Sequence, residues 1–309
     1  MNIEAIRTAD GISLKGLFLE TKENNRICLF IPGCCGNFVD NDFMRIIGMT
    51  LLKNQYNVLC ANTRGSFMMN SSFHPQNLER PKQIGVAYEC FEDCVYDIDA
   101  WIECLINKGY KSIDVICHSS GANKFIYYMN CNFKNKDFIN NIIFLSPPDF
   151  ANRIRCYSDY DELIKEAEEN VKKGNSNKLI KIHFFYKTSI EFLKMMNSKN
   201  FDNLPLVNGC KQDFYQYSNI TNPMFIIYGE EENYIKNFVY KFIQFANPIT
   251  NVECCEINGA DHIYFGKEEE IGIEIISYLN RNNLHLTTLP LYLKKSKIYV
   301  IINSRRKTK

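Results

Sequence analysis

Ser119 stands in the run Cys117-His118-Ser119-Ser120-Gly121, and its neighbours decide what chemistry it could do. The apolar stretch 112–117 reads as a buried strand and 122–129 as a helix, so the serine falls on a strand-to-helix turn. A turn that sharp, the nucleophile elbow, requires small residues two places before and two after its centre. Cys117 and Gly121 meet that demand around Ser119. Centring the turn on Ser120 would put His118 and Ala122 at those places, and histidine does not fit. Ser119 is therefore the expected nucleophile.

A serine hydroxyl is a weak nucleophile and needs a base that takes its proton near neutral pH, usually histidine. The chain offers five: His74, His118, His183, His262 and His285. His118 sits inside the elbow, His74 in a loop before the nucleophile, His183 in an insertion and His285 near the C-terminal end. His262, in Asn258-Gly-Ala-Asp-His262, follows the last expected sheet strand. Sites in open parallel sheets gather at the carboxyl ends of strands, so His262 is the expected base.

The acid that orients the base should follow the preceding strand, where Gly229-Glu230-Glu231-Glu232 stands. Asp149, after an earlier strand, and Asp261, next to His262, compete with the glutamates. Adjacent loop residues rarely aim at one another, which disfavours Asp261, and Pro147-Pro148 favours a turn-capping Asp149. Glu232 is nearest the next expected helix and best placed to lean toward the His262 loop. The tetrahedral oxyanion needs two backbone N–H donors. Ser120 would supply one from the elbow, and Cys34, in Pro32-Gly33-Cys34-Cys35-Gly36, the other.

These residues need a scaffold. Strands are expected at 12–19, 26–31, 56–61, 112–117, 141–145, 224–228 and 252–257. Helices are expected at 43–52, 91–106, 122–129, 235–245 and 268–279, with a long loop over 63–85. Short apolar strands alternating with helices imply an α/β fold with a mostly parallel sheet covered on both faces. The alternation stops after Phe150, where amphipathic helices at 158–173 and 189–196 mark a helical cap insertion. The expected organisation is a core of 1–149 and 221–281, a cap of 150–220 and a partly disordered, basic C-terminal tail of 282–309. The tail holds seven Lys/Arg and no acid, leaving −6 for the rest, with 297–302 a candidate edge strand.

At this point the chain resembles the α/β-hydrolase superfamily over roughly 10–281, and within it a largely uncharacterised, esterase-like branch. The resemblance rests on Phe30-Ile-Pro-Gly-Cys-Cys-Gly-Asn-Phe38, Asn62-Thr-Arg-Gly65, Glu92-Asp-Cys-Val-Tyr-Asp-Ile98, Cys117-His-Ser-Ser-Gly121, Leu145-Ser-Pro-Pro-Asp149, the Lys172-Lys-Gly174 helix end, Gly229-Glu-Glu-Glu232 and Gly259-Ala-Asp-His262. It implies Ser119 as nucleophile, His262 as base and Glu232, third after Gly229, as acid. Three positions depart from the usual pattern: Pro32 where His-Gly is common, Cys117 for glycine, and Glu232 for aspartate.

Composition narrows the function classes. With 309 residues, 46% hydrophobic and 13% aromatic, the chain can bury a sizeable core, which excludes disordered, collagenous and coiled-coil classes. Lys+Arg of 36 against Asp+Glu of 35 gives +1, so no global field draws it to nucleic acid. No apolar run approaches the ~18 residues of a membrane span. The 13 cysteines are odd in number and scattered, without a C-x-x-C pair, which reads as reduced thiols. With no basic-then-apolar leader at the start, the expected compartment is the cytoplasm. No phosphate-cradling glycine motif and no metal-ligand spacing occurs, so no cofactor is expected. The expected function is a serine hydrolase cleaving a small-molecule carboxylic ester or thioester through an acyl-enzyme. The alternative is a non-catalytic hydrolase-fold protein that keeps the pocket for binding. An acyl pocket shaped by Tyr157, Tyr160, Phe184, Phe185, Tyr186, Phe192 and Phe214 of the insertion would suit an apolar or aromatic group. The oligomeric state has no signature in the sequence.

Overall fold

The computed structural model describes residues 1–21, 25–74, 77–232 and 239–284. Eight strands form one sheet: β1 (Asn2–Arg7), β2 (Ser13–Leu19), β3 (Ile27–Ile31), β4 (Asn57–Ala61), β7 (Ile113–His118), β8 (Ile139–Leu145), β11 (Met224–Gly229) and β12 (Val252–Ile257). Their order across the sheet is β1-β2-β4-β3-β7-β8-β11-β12. β1 and β2 pair antiparallel, as do β2 and β4, and every pairing from β4 to β12 is parallel. β1 is absent from the sequence expectation because its outward-facing edge leaves it exposed or half-buried throughout.

Parallel strands covered on both faces must be apolar on both, and here successive side chains enter two different cores. Ile27, Leu29 and Ile31 pack with Val95, Ile98, Trp101 and Phe125 of helices α2 (Cys94–Asn107) and α3 (Ser120–Asn130). Cys28 and Phe30 turn the other way, onto Phe43, Ile47, Ile271 and Ile275 of helices α1 (Asp42–Lys53) and α9 (Glu268–Leu284). Ile142 and Phe144 against Ile143 and Leu145 repeat the split in β8. Helix α8 (Val239–Phe245) adds Phe242 to the first core, and the expected helix start at 235–238 lies outside the described residues.

The expected loop over 63–85 contains an antiparallel hairpin, β5 (Asn70–His74) and β6 (Asn77–Ile84). Its root is fixed by Arg64, which is buried and paired with Asp97 at 2.9 Å, Asp10 at 2.9 Å and Asp93 at 3.1 Å. Between β8 and β11 come α4 (Phe150–Arg155), α5 (Tyr160–Lys172), a short hairpin of β9 (Leu179–Ile182) and β10 (Phe185–Thr188), α6 (Ser189–Asn197) and α7 (Tyr215–Ser218). Helices α5 and α6 fall where the periodicity puts them, whereas the short α4 and α7 are not expected from it. The hairpin does not announce itself, since each of its strands has only four residues. Phe150, Ile154, Leu163, Ile182, Phe185, Phe192 and Met195 build a third core, whereas Leu204, Phe214 and Tyr217 pack into the first. Among the described residues no helix is long and apolar enough to cross a membrane.

α9 continues five residues beyond the expected end at 279 and passes the expected core boundary at 281. Polar contacts to the sheet hold that extra turn. Asn280 accepts from Tyr56 at 2.9 Å, Arg281 pairs with buried Glu253 at 2.7 Å, and Asn282 donates to Asn141 at 3.0 Å. Residues 285–309, with the basic cluster and the candidate strand at 297–302, lie outside the described residues. Removing Arg281 would leave the Glu253 carboxylate without this partner, at a cost of about 1–3 kcal/mol. Chains ending at Leu279 and at Leu284 should therefore differ in thermal midpoint by roughly 3–8 °C, the shorter melting first. Equal midpoints by calorimetry would show that the last turn of α9 contributes nothing.

Candidate active site

The strand β7 ends at His118 and α3 begins at Ser120, so the whole reversal falls on one residue. Ser119 takes φ 51°, ψ −132°, a strained backbone for a residue with a side chain. Its N–H donates to the Leu145 carbonyl at 2.8 Å, which fixes the turn against β8. The neighbours leave no spare room. A Cβ on Gly121 would come within 2.7 Å of the Pro32 carbonyl oxygen, and one on Gly33 within 2.7 Å of Ser119 Cβ. The loop after β3 thus backs directly onto the elbow. Cys117 fits because its side chain is fully buried in the first core, where desolvation pushes its thiol up.

Three expected residues meet at the carboxyl ends of β7, β11 and β12. Ser119 Oγ lies 2.9 Å from His262 Nε2, and His262 Nδ1 lies 2.7 Å from Glu232 Oε2. An ionised carboxylate only accepts, so Nδ1 carries the imidazole proton and Nε2 is left to accept from the serine. Burial works to raise the Glu232 carboxyl. The hydrogen bond and charge of His262, with the Ser146 hydroxyl and the Gly229 N–H, outweigh it and hold the group below its ordinary value.

The other acid candidates are engaged elsewhere. Asp149 caps α4, accepting from Asn152 N at 3.3 Å, and also takes the Val207 N–H at 2.8 Å. Asp261 accepts from the Ile263 and Phe265 N–H groups, each at 3.0 Å. Glu230 accepts from Gly259 N at 3.0 Å, and Glu231 is exposed. Among the other histidines, His183 stacks on Tyr157 at 3.6 Å and bonds Asp159, while His285 is outside the described residues. His74 ends β5.

Ser146 and Tyr264, which the sequence does not single out, and His118, set aside as a base, hold this set in place. Glu232 Oε1 accepts from the Ser146 hydroxyl and from the Gly229 N–H at 3.1 Å. The Tyr264 hydroxyl lies 2.7 Å from Ser146 Oγ and 3.0 Å from the Ile227 carbonyl. Ser146 lies in the Leu145-Ser-Pro-Pro run, but nothing in that run shows that it faces an acid 86 residues away. His118 is buried against Phe43 and bonds the His262 backbone carbonyl through Nε2 at 2.8 Å. A carbonyl only accepts, so His118 Nε2 is the donor.

Beside Ser119 and His262 opens a cleft of about 270 Å³, walled by Cys34, Phe43, Pro148, Phe150 and Phe184, with Arg153 at its edge. Of the seven insertion aromatics, Phe184 lines this cleft. Phe192 sits in the third core and Phe214 in the first. Cys34 lines the same cleft, and Ser120 opens α3, where a first-turn N–H has no intrahelical partner. All thirteen cysteines are free thiols. Among the described residues no group of three or more His, Cys, Asp or Glu is arranged to hold a metal.

No family model and no curated protein matches the sequence. Solved structures do match in shape. The Pyrococcus furiosus esterase Pf2001 aligns over 91% of this chain and 90% of its own, with TM-score 0.56 and 20% identity. Est1E from Butyrivibrio proteoclasticus, solved with ferulic acid bound, aligns over 89% and 98%, with TM-score 0.61 and 15% identity. The esterase domain of a Rhodothermus marinus protein aligns over 91% and 99%, with TM-score 0.55 and 13% identity. The chain has the α/β-hydrolase fold. Within that fold a buried histidine beside the elbow has a measurable cost. Desolvation, followed by the charge of His262, lowers the His118 ring to about 3. The unfolded ring protonates near ~6.5, so between those values the unfolded state holds the extra proton and stability falls as the pH falls. His118→Leu removes that dependence. Its unfolding free energy in urea should decline less steeply than the wild type's between about pH 6 and 4, by up to ~1.4 kcal/mol per pH unit. Identical slopes would mean that His118 titrates normally in the folded protein.

Proposed function

We propose that this protein is a serine hydrolase that cleaves a carboxylic ester or thioester through an acyl-enzyme. The observation that carries the reading is the unbroken chain from Ser119 through His262 to Glu232, at 2.9 and 2.7 Å. In the first half-reaction Ser119 Oγ attacks the carbonyl carbon while His262 Nε2 takes its proton. Glu232 stabilises the imidazolium that results. The oxyanion of the tetrahedral intermediate is received by the backbone N–H groups of Cys34 and Ser120. As the intermediate collapses, His262 returns the proton to the departing alkoxide or thiolate, leaving Ser119 acylated. Water then enters, gives its proton to His262 and attacks the acyl carbon, and the acid leaves as Ser119 is reprotonated.

No cofactor takes part in this scheme, and the substrate is a small molecule held in the cleft beside Phe150 and Phe184. Thirteen free thiols suit a reducing compartment such as the cytoplasm. The matching esterases lend support only through the shared fold.

A fluorophosphonate probe should label the wild type and Ser120→Ala but not Ser119→Ala. A protein that keeps the pocket only for binding would not be labelled at all. Glu232→Gln should lower kcat by up to roughly 10⁴-fold with the fold intact, because the amide no longer fixes the Nδ1–H tautomer. Asp149→Asn and Glu230→Gln should keep most of the activity. Loss of turnover in folded Asp149→Asn, with Glu232→Gln active, would move the acid to the earlier strand.

A further inference from the structure

Two thiols touch in the loop that backs onto the nucleophile elbow. Cys34 and Cys35 follow one another after β3, and their Sγ atoms lie 3.9 Å apart. Both are free and half-buried, and Cys34 lines the cleft beside Ser119 and His262. The turn that carries them is tight. Gly36 N donates to the Gly33 carbonyl at 3.1 Å, and Cys35 stands at φ 59°. That left-handed conformation favours glycine or asparagine, so a cysteine keeps it only under restraint. The restraint comes from outside the turn. The Cys35 carbonyl accepts from Phe67 N at 3.0 Å and from Asn37 Nδ2 at 3.2 Å.

We propose that Cys34 and Cys35 form an oxidation site for a hydroperoxide, and that the disulfide closed between them disables the oxyanion hole. The inference rests on the ester-hydrolase reading above, which gives the Cys34 N–H to the oxyanion. The Cys34 hydrogen bond, with the charges of Lys124 and Lys187, outweighs burial and Glu89 and holds the Cys35 thiol below its ordinary value. The same bond, with burial, raises Cys34, which keeps its proton. A thiolate thus sits beside a thiol, and the thiolate is the form that attacks. Cys35 sulfur attacks one peroxide oxygen, the O–O bond breaks, and the departing hydroxide or alkoxide takes a proton from solvent. Cys35 is left as a sulfenic acid. Cys34 sulfur then attacks it, the S–O bond breaks, and the leaving hydroxide takes the Cys34 proton as water. Adjacent Cα atoms stand ~3.8 Å apart, below the ~4.4–6.8 Å that disulfides usually span, so drawing the sulfurs in from 3.9 Å must bend the backbone between them. The turn already presses on Ser119 at Gly33, so the bend displaces the Cys34 N–H from its place beside the nucleophile. A bond strained in this way is readily reduced again, and disulfides of reducing compartments are mostly transient and sensing.

The test treats the wild type with hydrogen peroxide, alkylates it with iodoacetamide in denaturant and maps the tryptic peptide 27–45, which holds Cys28, Cys34 and Cys35. After oxidation that peptide should carry a single alkyl group, on Cys28, and lack two hydrogens. After reduction by a phosphine all three cysteines should be alkylated. Hydrolysis of p-nitrophenyl acetate should fall about 10²-fold or more as the bridge forms, the size of one lost oxyanion donor, and return on reduction. These readouts need no variant to fold. Cys35→Ser should lose far less of its own rate at the same peroxide dose. A peptide that still takes three alkyl groups once activity has gone, a bridge that leaves the rate unchanged, or a folded Cys35→Ser inactivated as fast as the wild type would each overturn the switch and leave the hydrolase standing. If the fully reduced protein cleaves no ester and Ser119 takes no fluorophosphonate, the hydrolase reading falls and takes the switch with it.

Discussion

One backbone turn governs the rest of this molecule. Ser119 can stand at φ 51° only because the chain on both sides of it is pinned. Its amide is held by Leu145, the loop after β3 presses on it at Gly33, and Gly121 lets α3 approach Pro32. A conformation of this kind costs on the order of 1–3 kcal/mol, which the surrounding packing must supply. In return the hydroxyl is lifted clear of the sheet, in front of strand ends that carry His262 and Glu232.

The acid end is built with the same economy. Glu232 has two oxygens, and each has a separate task. Oε2 faces His262, while Oε1 is taken by Ser146 and the Gly229 amide. The extra methylene relative to aspartate lets one short loop reach the His262 ring and still satisfy its own backbone. His262 is held from behind as well, by His118 on its carbonyl. The Ser119–His262–Glu232 geometry is therefore spread over β7, β8, β11 and the loop after β12, with no single element responsible for it.

Much of this was legible in the sequence, and the reasons differ from residue to residue. Ser119 was readable because sterics at a sharp turn admit only small flanking residues, and Cys117 and Gly121 supply them. His262 and the Gly229–Glu232 run were readable because parallel-sheet topology fixes which loops share a rim. The central strands were readable because burial on both faces demands continuous apolar runs. β1 and the β5–β6 and β9–β10 hairpins were not, since edge and short strands need no such run. The Ser146–Glu232 and His118–His262 contacts were hidden for another reason. They join residues 86 and 144 apart, and no local pattern encodes which hydroxyl or ring will arrive.

The split of β7 between two cores has a consequence for how the molecule breathes. Cys117 anchors the elbow to the layer of α2 and α3, and His118 anchors it to the layer of α1 through Phe43. Neither layer can detach while the other keeps the turn intact. The elbow belongs, then, with the part of the chain that opens only by global unfolding. The Ser119 amide, held by the Leu145 carbonyl, should be among the slowest to exchange with solvent deuterium, whereas segments that pack in a single layer are free to open on their own.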